Sequence, residues 1–322
     1  CISDIVDTAS GPANPGAGQS LCWRAGARLV NMDIPNRHAG HKYLARMGKS
    51  TWIGLFKYPD GKLLGPFVTK ATRELGDITS DVWNSAFTDL MRQGTGPAYL
   101  DCSETSPEDL AFMREALLSE GLIGLVDYME QNGIDPARHA IEFMQYEPFL
   151  SGRGVDIDVN AQTSVPGLYA AGDLMGNFRA GIAGAAVFGS LAGRHAASAS
   201  KEDTPRSIDE AALTAAMDRC SAFLERAHGP DWKEANRAVQ QILNDYAPAG
   251  PHRVRSASLF KAGRKYLRDL RALVEGSGTA DNAHTLMRLL EVFELMDCAE
   301  IILEAAPERK ESRGMHIRSD YT

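Results

Sequence analysis

The sequence lacks most of the features that assign a protein quickly. Its five cysteines (Cys1, Cys22, Cys102, Cys220, Cys298) form no CxxC pair and no even framework. They read as reduced thiols, and no zinc or iron–sulfur ligand set can be built from them, so no metal site is expected. No run of about 18 apolar residues occurs, so no membrane-spanning helix is expected. No signal peptide opens the chain. Positive charge is not in excess: Lys and Arg number 34 against 42 Asp and Glu, a formal charge of −8. That balance argues against nucleic acid or an anionic lipid surface as partner. A cytoplasmic setting fits all of these absences. An initiator Met is missing too, and no strand–GxGxxG–helix unit occurs in the 322 residues. The opening Cys1-Ile2-Ser3-Asp4 reads as the middle of a longer chain.

What is present is ordinary globular composition, 44% hydrophobic and 24% charged, over a length that implies two or three domains. A Gly- and Pro-rich loop, Gly11 to Gly18, leads into a short helical period over Gln19–Gly26 and a short strand over Ala27–Val30. Residues 36–100 mix aromatics, Gly and Pro in brief segments that suggest short strands. Ser80–Arg92 is helical by period. Ser106-Pro-Glu-Asp supplies an N-cap, a Pro at the first helical position and first-turn acids for a helix running to about Glu120. Gly154–Val159 alternates as a half-buried strand, and Val165–Ala171 is an apolar strand entering Gly172-Asp173. A small-residue stretch, Arg179 to Gly193, reads as loop then helix. After a hydrophilic linker at Lys201–Arg206 the chain is helical by period over Ile208–Arg226, Trp232–Tyr246, Ser256–Glu275 and Asn282–Ala305, which suits a bundle.

The informative run is Pro166-Gly-Leu-Tyr-Ala-Ala-Gly-Asp173. A strand ending at Gly172 lets a cofactor approach the backbone, and Asp173 can accept a hydrogen bond from a hydroxyl. Gly181-Ile182-Ala183-Gly184-Ala185 then starts a helix of small residues. A flat ring can lie on such a surface, and the unpaired N–H groups at the helix start stabilise negative charge.

This pattern resembles the fumarate reductase/succinate dehydrogenase flavoprotein family, and is also similar to the adenylylsulfate reductase α subunit. Gly167–Asp173 and Gly181–Gly193 look like the family's second FAD-binding signature. The tail Glu311-Ser-Arg-Gly-Met-His-Ile-Arg-Ser-Asp-Tyr321 is close to its ESRG-x-H-x-R-x-DYP run. Gly16-Ala-Gly18 through Asp33 looks like its GDG…RAGA-x-L-x-DME segment. The resemblance implies an α+β chain: a partial FAD-binding α/β domain (1–33 and 146–200), an α+β capping domain (34–145), a helical bundle (207–306) and a tail (307–322). It implies FAD as cofactor, held by Gly172, Asp173, Gly181, Ile182, Ala183, Gly184 and Ala185. It also implies hydride transfer between a small anionic substrate and flavin N5, with an iron–sulfur electron-transfer subunit as partner. The first FAD-binding unit is not in the sequence, so the chain is expected to be the C-terminal part of a flavoprotein, binding FAD poorly and inactive alone.

The catalytic candidates are His38, which falls where the family carries a His after its DME segment, and Arg179, about three residues from the family's substrate arginine. Each reads equally as a surface residue. The family's second His and its RGEGG arginine motif have no counterpart, which argues against succinate or fumarate as substrate. It also leaves open a truncated or degenerate member acting as a non-catalytic assembly or binding subunit. Gly48-Lys-Ser-Thr-Trp-Ile-Gly54 lacks the first Gly and preceding strand of a phosphate loop and reads as structural. Glu311, Arg313, His316 and Arg318 read either as an active-site lid or as a segment docking the bundle.

Overall fold

The computed structural model describes residues 16–33, 36–41, 51–64, 68–75, 93–119, 122–149, 153–177, 181–200, 209–248, 254–313 and 316–321. The helix expected over Ser80–Arg92 and the linker at 201–206 lie outside them. The described residues form a mostly helical α+β chain with two small sheets. None of their helices is long and apolar enough to cross a membrane.

Helix α1 (Ala17–Arg24) leads to strand β1 (Leu29–Val30), which pairs antiparallel with β6 (Gly154–Val155). Cys22, Ala27, Val155, Ile157, Ala161, Ala170 and Met175 form the core beneath this pair. Between β1 and β6 the chain builds a second sheet. Strands β2 (Asn36–His41), β3 (Leu55–Lys57), β4 (Ala98–Asp101) and β5 (Ile141–Phe149) lie in the order β2-β5-β4-β3, all antiparallel. Helices α2 (Pro107–Ser119) and α3 (Ile123–Gln131) cover it. Ser106 caps α2 by accepting from the Asp109 N–H at 3.1 Å. Phe143 sits at the centre of this core, edge-on to both Trp52 and Phe56. Trp52 and Ile53 are buried there, which makes the Thr51–Gly54 part of the Lys-Ser-Thr run structural. β5 extends to Phe149, past the expected division at residue 145.

The C-terminal half is a bundle of α5 (Glu210–Glu225), α6 (Trp232–Tyr246), α7 (Ala257–Ser277) and α8 (Ala283–Ala305), preceded by α4 (Gly181–Ala199). Its helix starts follow from local chemistry. Asp209, Asp231, Ser256 and Asn282 each accept from first-turn N–H groups, and Asp231 with Glu234 completes a capping box. Phe223, Phe260, Leu267, Leu289, Phe293, Met296 and Leu303 fill the bundle. Asp231→Ala is expected to cost about 1 kcal/mol, read as a lower urea midpoint at unchanged slope. An unchanged midpoint would mean that the box contributes nothing.

The apolar run Val165–Ala171 is not the strand expected from its composition. Pro166 and Gly167, the latter at φ 79°, bend it into a turn in which Leu168 N–H donates to Val165 O at 3.1 Å. Pro fixes its own φ and Gly tolerates the left-handed region, so together they override the strand preference of the flanking residues.

Candidate functional site

The site is built where the segment from Val155 to Asn177 meets α4. After the Pro166-Gly167 turn, Ala170 N–H donates to Ala161 O at 3.0 Å, which delivers the chain to Gly172. Gly172 is left-handed at φ 74° and opens a single 3-10 turn, Gly172–Leu174. A Cβ on Gly172 would lie 3.8 Å from the Ala185 Cβ, so the turn rests directly on the start of α4. Asp173 follows with its side chain exposed. Met175 then bridges to Val155, and Gly176 N–H donates to Val155 O at 3.0 Å.

Glycines make this crossing close. A Cβ on Gly176 would lie 2.6 Å from both Gly154 N and Gly154 O, and one on Gly154 (φ 155°) would overlap the Leu174 carbonyl. Asn177 ties the two passes together. Its Oδ1 accepts from Ile157 N–H at 3.2 Å, while Nδ2 donates to Ile157 O at 2.6 Å and to Asp156 Oδ1 at 2.9 Å. Just after β1, Asn31 at φ 58° donates its Nδ2 to Gly176 O at 3.3 Å. These residues escaped the sequence reading; the spacing of Gly154, Gly172 and Gly176 was the one signal available.

Of the expected cofactor residues, Gly172, Asp173 and Ala185 are thus brought together. Ala183 is exposed and Gly184 half-buried on the same first turns of α4, which Gly181 and Ile182 open. Further along α4, Gly189 and Gly193 face open space. His38 lies on β2, opposite Tyr146 of β5 and just after a bulge at Arg37/His38, on the other sheet. Arg179 lies outside the described residues.

The tail docks. His316 and Arg318 are buried, and Arg318 is paired with Asp320 at 2.6 Å. Arg309 is ion-paired with Asp33 at the end of the β1 segment. Glu311 sits between Arg309 (2.8 Å) and Arg313 (3.0 Å), and these two cations hold its carboxyl below the ordinary value. Of the two readings of this run, the packing is that of a docking segment.

A family model described as an FAD binding domain matches residues 6–188, and one described as fumarate reductase flavoprotein C-term matches residues 237–322. The fumarate reductase flavoprotein subunit of Haemophilus influenzae is 26% identical over 316 residues, covering 94% of this chain and 49% of that protein. The L-aspartate oxidase of Yersinia pestis is 25% identical over 331 residues, covering 95% of this chain and 56% of the relative. The chain therefore spans about half the length of the curated relatives it matches. Adenylylsulfate reductase from Archaeoglobus fulgidus shares the fold, with a TM-score of 0.73 at 18% identity over 92% of this chain and 55% of that one. The residues present fit an FAD: a left-handed glycine turn whose Cβ position meets, among the described residues, only Ala185 at ordinary contact distance, an exposed carboxylate beside it, and a helix start of small residues.

Proposed function

The chain belongs to the fumarate reductase/succinate dehydrogenase flavoprotein family, its cofactor is FAD, and from this we infer that it works in an FAD-dependent oxidoreductase. When bound, FAD supplies two-electron chemistry, here hydride transfer between N5 and a small anionic substrate. The supporting observation is the Gly172–Asp173 turn seated on the first turns of α4. In this reading Asp173 accepts hydrogen bonds from cofactor hydroxyls. Ala183, Gly184 and Ala185, with Gly181 and Ile182, offer a low surface to a flat ring, and helix-start N–H groups stabilise negative charge at its edge. His38 holds or delivers a proton on the substrate side, and Arg179 binds the anion.

The proposed division is FAD-binding (1–33, 146–200), capping (34–145), helical (207–306) and tail (307–322). An iron–sulfur subunit is the proposed electron partner, and a cytoplasmic setting the proposed location. Asp173→Ala in the full-length protein is expected to weaken FAD binding about 10- to 100-fold, the worth of a charged hydrogen bond. Fluorescence titration with FAD checks it. Unchanged affinity in a folded variant would remove Asp173 from the site.

A further inference from the structure

The chain passes from the first sheet to the second between Val30 and Asn36, and returns between Phe149 and Gly154. Both crossings carry a charged residue, Asp33 on the first and Arg153 on the second, and each is within electrostatic reach of the other. The first crossing is met at Asp33 by Arg255, 1% exposed and 222 positions away. Every nitrogen of its guanidinium has a partner. Nε donates to Pro248 O at 2.6 Å and Nη2 to Ala247 O at 3.1 Å. Nη1 donates to Asp33 O at 2.8 Å and faces His316 Nδ1 at 2.9 Å.

The tail locks this arrangement from outside. Arg255 N–H donates to Ile317 O at 2.7 Å, and Ser319 N–H to Arg255 O at 2.9 Å. His316 Nε2 lies 3.1 Å from Arg309 O. A carbonyl only accepts, so Nε2 carries the hydrogen and Nδ1 is left as the bare acceptor that Arg255 needs. A buried arginine with four acceptors holds its geometry far more strictly than packing alone would.

We infer that Arg255, with neutral His316 as its acceptor, is a positioning residue that fixes the Asp33 crossing to the helical bundle. It thereby sets where β2, the strand bearing His38, stands relative to the Gly172–Asp173 turn. The catalytic meaning of that placement rests on the proposed function; the clamp itself does not. His316 must stay neutral for the clamp to hold. The groups facing it are Arg255 and Arg318, which oppose its protonation, and Asp33, itself paired with Arg309, which favours it; the Phe260 ring stacks on it. Burial is the largest influence, and the balance keeps its pKa below the ordinary 6.5. The neutral form is thus favoured on folding. Its stabilisation is complete above about pH 6.5 and is lost as pH falls through the lower folded value.

The test is hydrogen exchange on the folded protein without added flavin, read as protection factors so that intrinsic pH effects cancel. Amides of residues 29–41 are expected to lose about tenfold protection between pH 8 and pH 5 in the wild type. In His316→Gln the fall is expected to vanish, because the amide offers an acceptor and a donor but does not titrate. Arg255→Lys, which cannot reach four acceptors, is expected to lower protection of 29–41 at every pH while α8 stays protected. An identical pH response in His316→Gln and wild type would overturn the proposal. So would undiminished protection of 29–41 in a folded Arg255→Lys variant. If that variant does not fold, the His316→Gln comparison decides alone. None of these readouts needs a bound flavin, so they can stand or fall apart from the oxidoreductase reading.

Discussion

Gly154→Ala is expected to unfold the first sheet and abolish FAD retention, with a loss of about 4 kcal/mol in global stability. Two costs add. Gly154 sits at φ 155°, a region that strains any side-chain-bearing residue by about 1–3 kcal/mol. The new methyl also points into the Leu174 carbonyl, and overpacking a fixed backbone costs about 1–3 kcal/mol more. Relief would require Leu174 to move, which pulls the Gly172–Asp173 turn off α4. Gly176→Ala separates the two costs, because Gly176 is not among the residues with positive φ, and its Cβ would meet Gly154 N and O at 2.6 Å. It should lose the steric part alone, about half as much. Urea unfolding and FAD titration of each variant, made in the full-length protein, measure this. A loss under about 0.5 kcal/mol for Gly154→Ala would mean the crossing is far more pliant than described.

The second large effect concerns Asp297. Its side chain, on α8, is 3% exposed and holds three partners: Ser20 Oγ at 2.5 Å, Arg24 at 2.5 Å and Arg271 at 2.7 Å. One carboxylate therefore joins α1, which packs on the Gly172–Leu174 turn through Gly18 and Leu174, to α7 and α8. The Cys298 thiol adds a bond to Gly16 O at 3.6 Å, and burial pushes its pKa up to about 12, so it stays a protonated donor. Asp297→Ala is expected to cost about 3 kcal/mol, since removing one partner leaves buried polar groups unmatched. Arg24 is 51% exposed, so water screens its share and Arg24→Ala should cost under about 1 kcal/mol. Equal losses for the two variants would contradict this reading of the cluster.

What the sequence disclosed depended on whether the determining contacts were local. The bundle was legible because its signals lie within single turns: Asp231 with Glu234 opens α6, and Asn282 opens α8, at the expected positions. α3 was not foreseen; its N-cap Leu122 makes no side-chain capping bond, so nothing local announces it. β5, which contains Pro148, Glu142 and Glu147, does not read as a strand until β2 and β4 pair on either side of it. Gly172-Asp173 was singled out in sequence as a strand end followed by a carboxylate; the left-handed turn there emerges only in the fold. The strand expected before it failed to Pro166-Gly167. Arg255 was invisible, because Asp33 and His316 converge on it from distant parts of the chain, 222 and 61 positions away.

The central claim is that this chain forms part of a flavin-dependent oxidoreductase. Its most direct test is the visible spectrum of the purified full-length protein, recorded anaerobically before and after each of a panel of small carboxylate-bearing compounds, and after a chemical reductant. The account predicts the two bands of oxidised FAD in stoichiometric amount, reversibly bleached by the reductant and by at least one anionic substrate. A folded, monodisperse full-length protein that carries no flavin and takes up none on addition of FAD would contradict it.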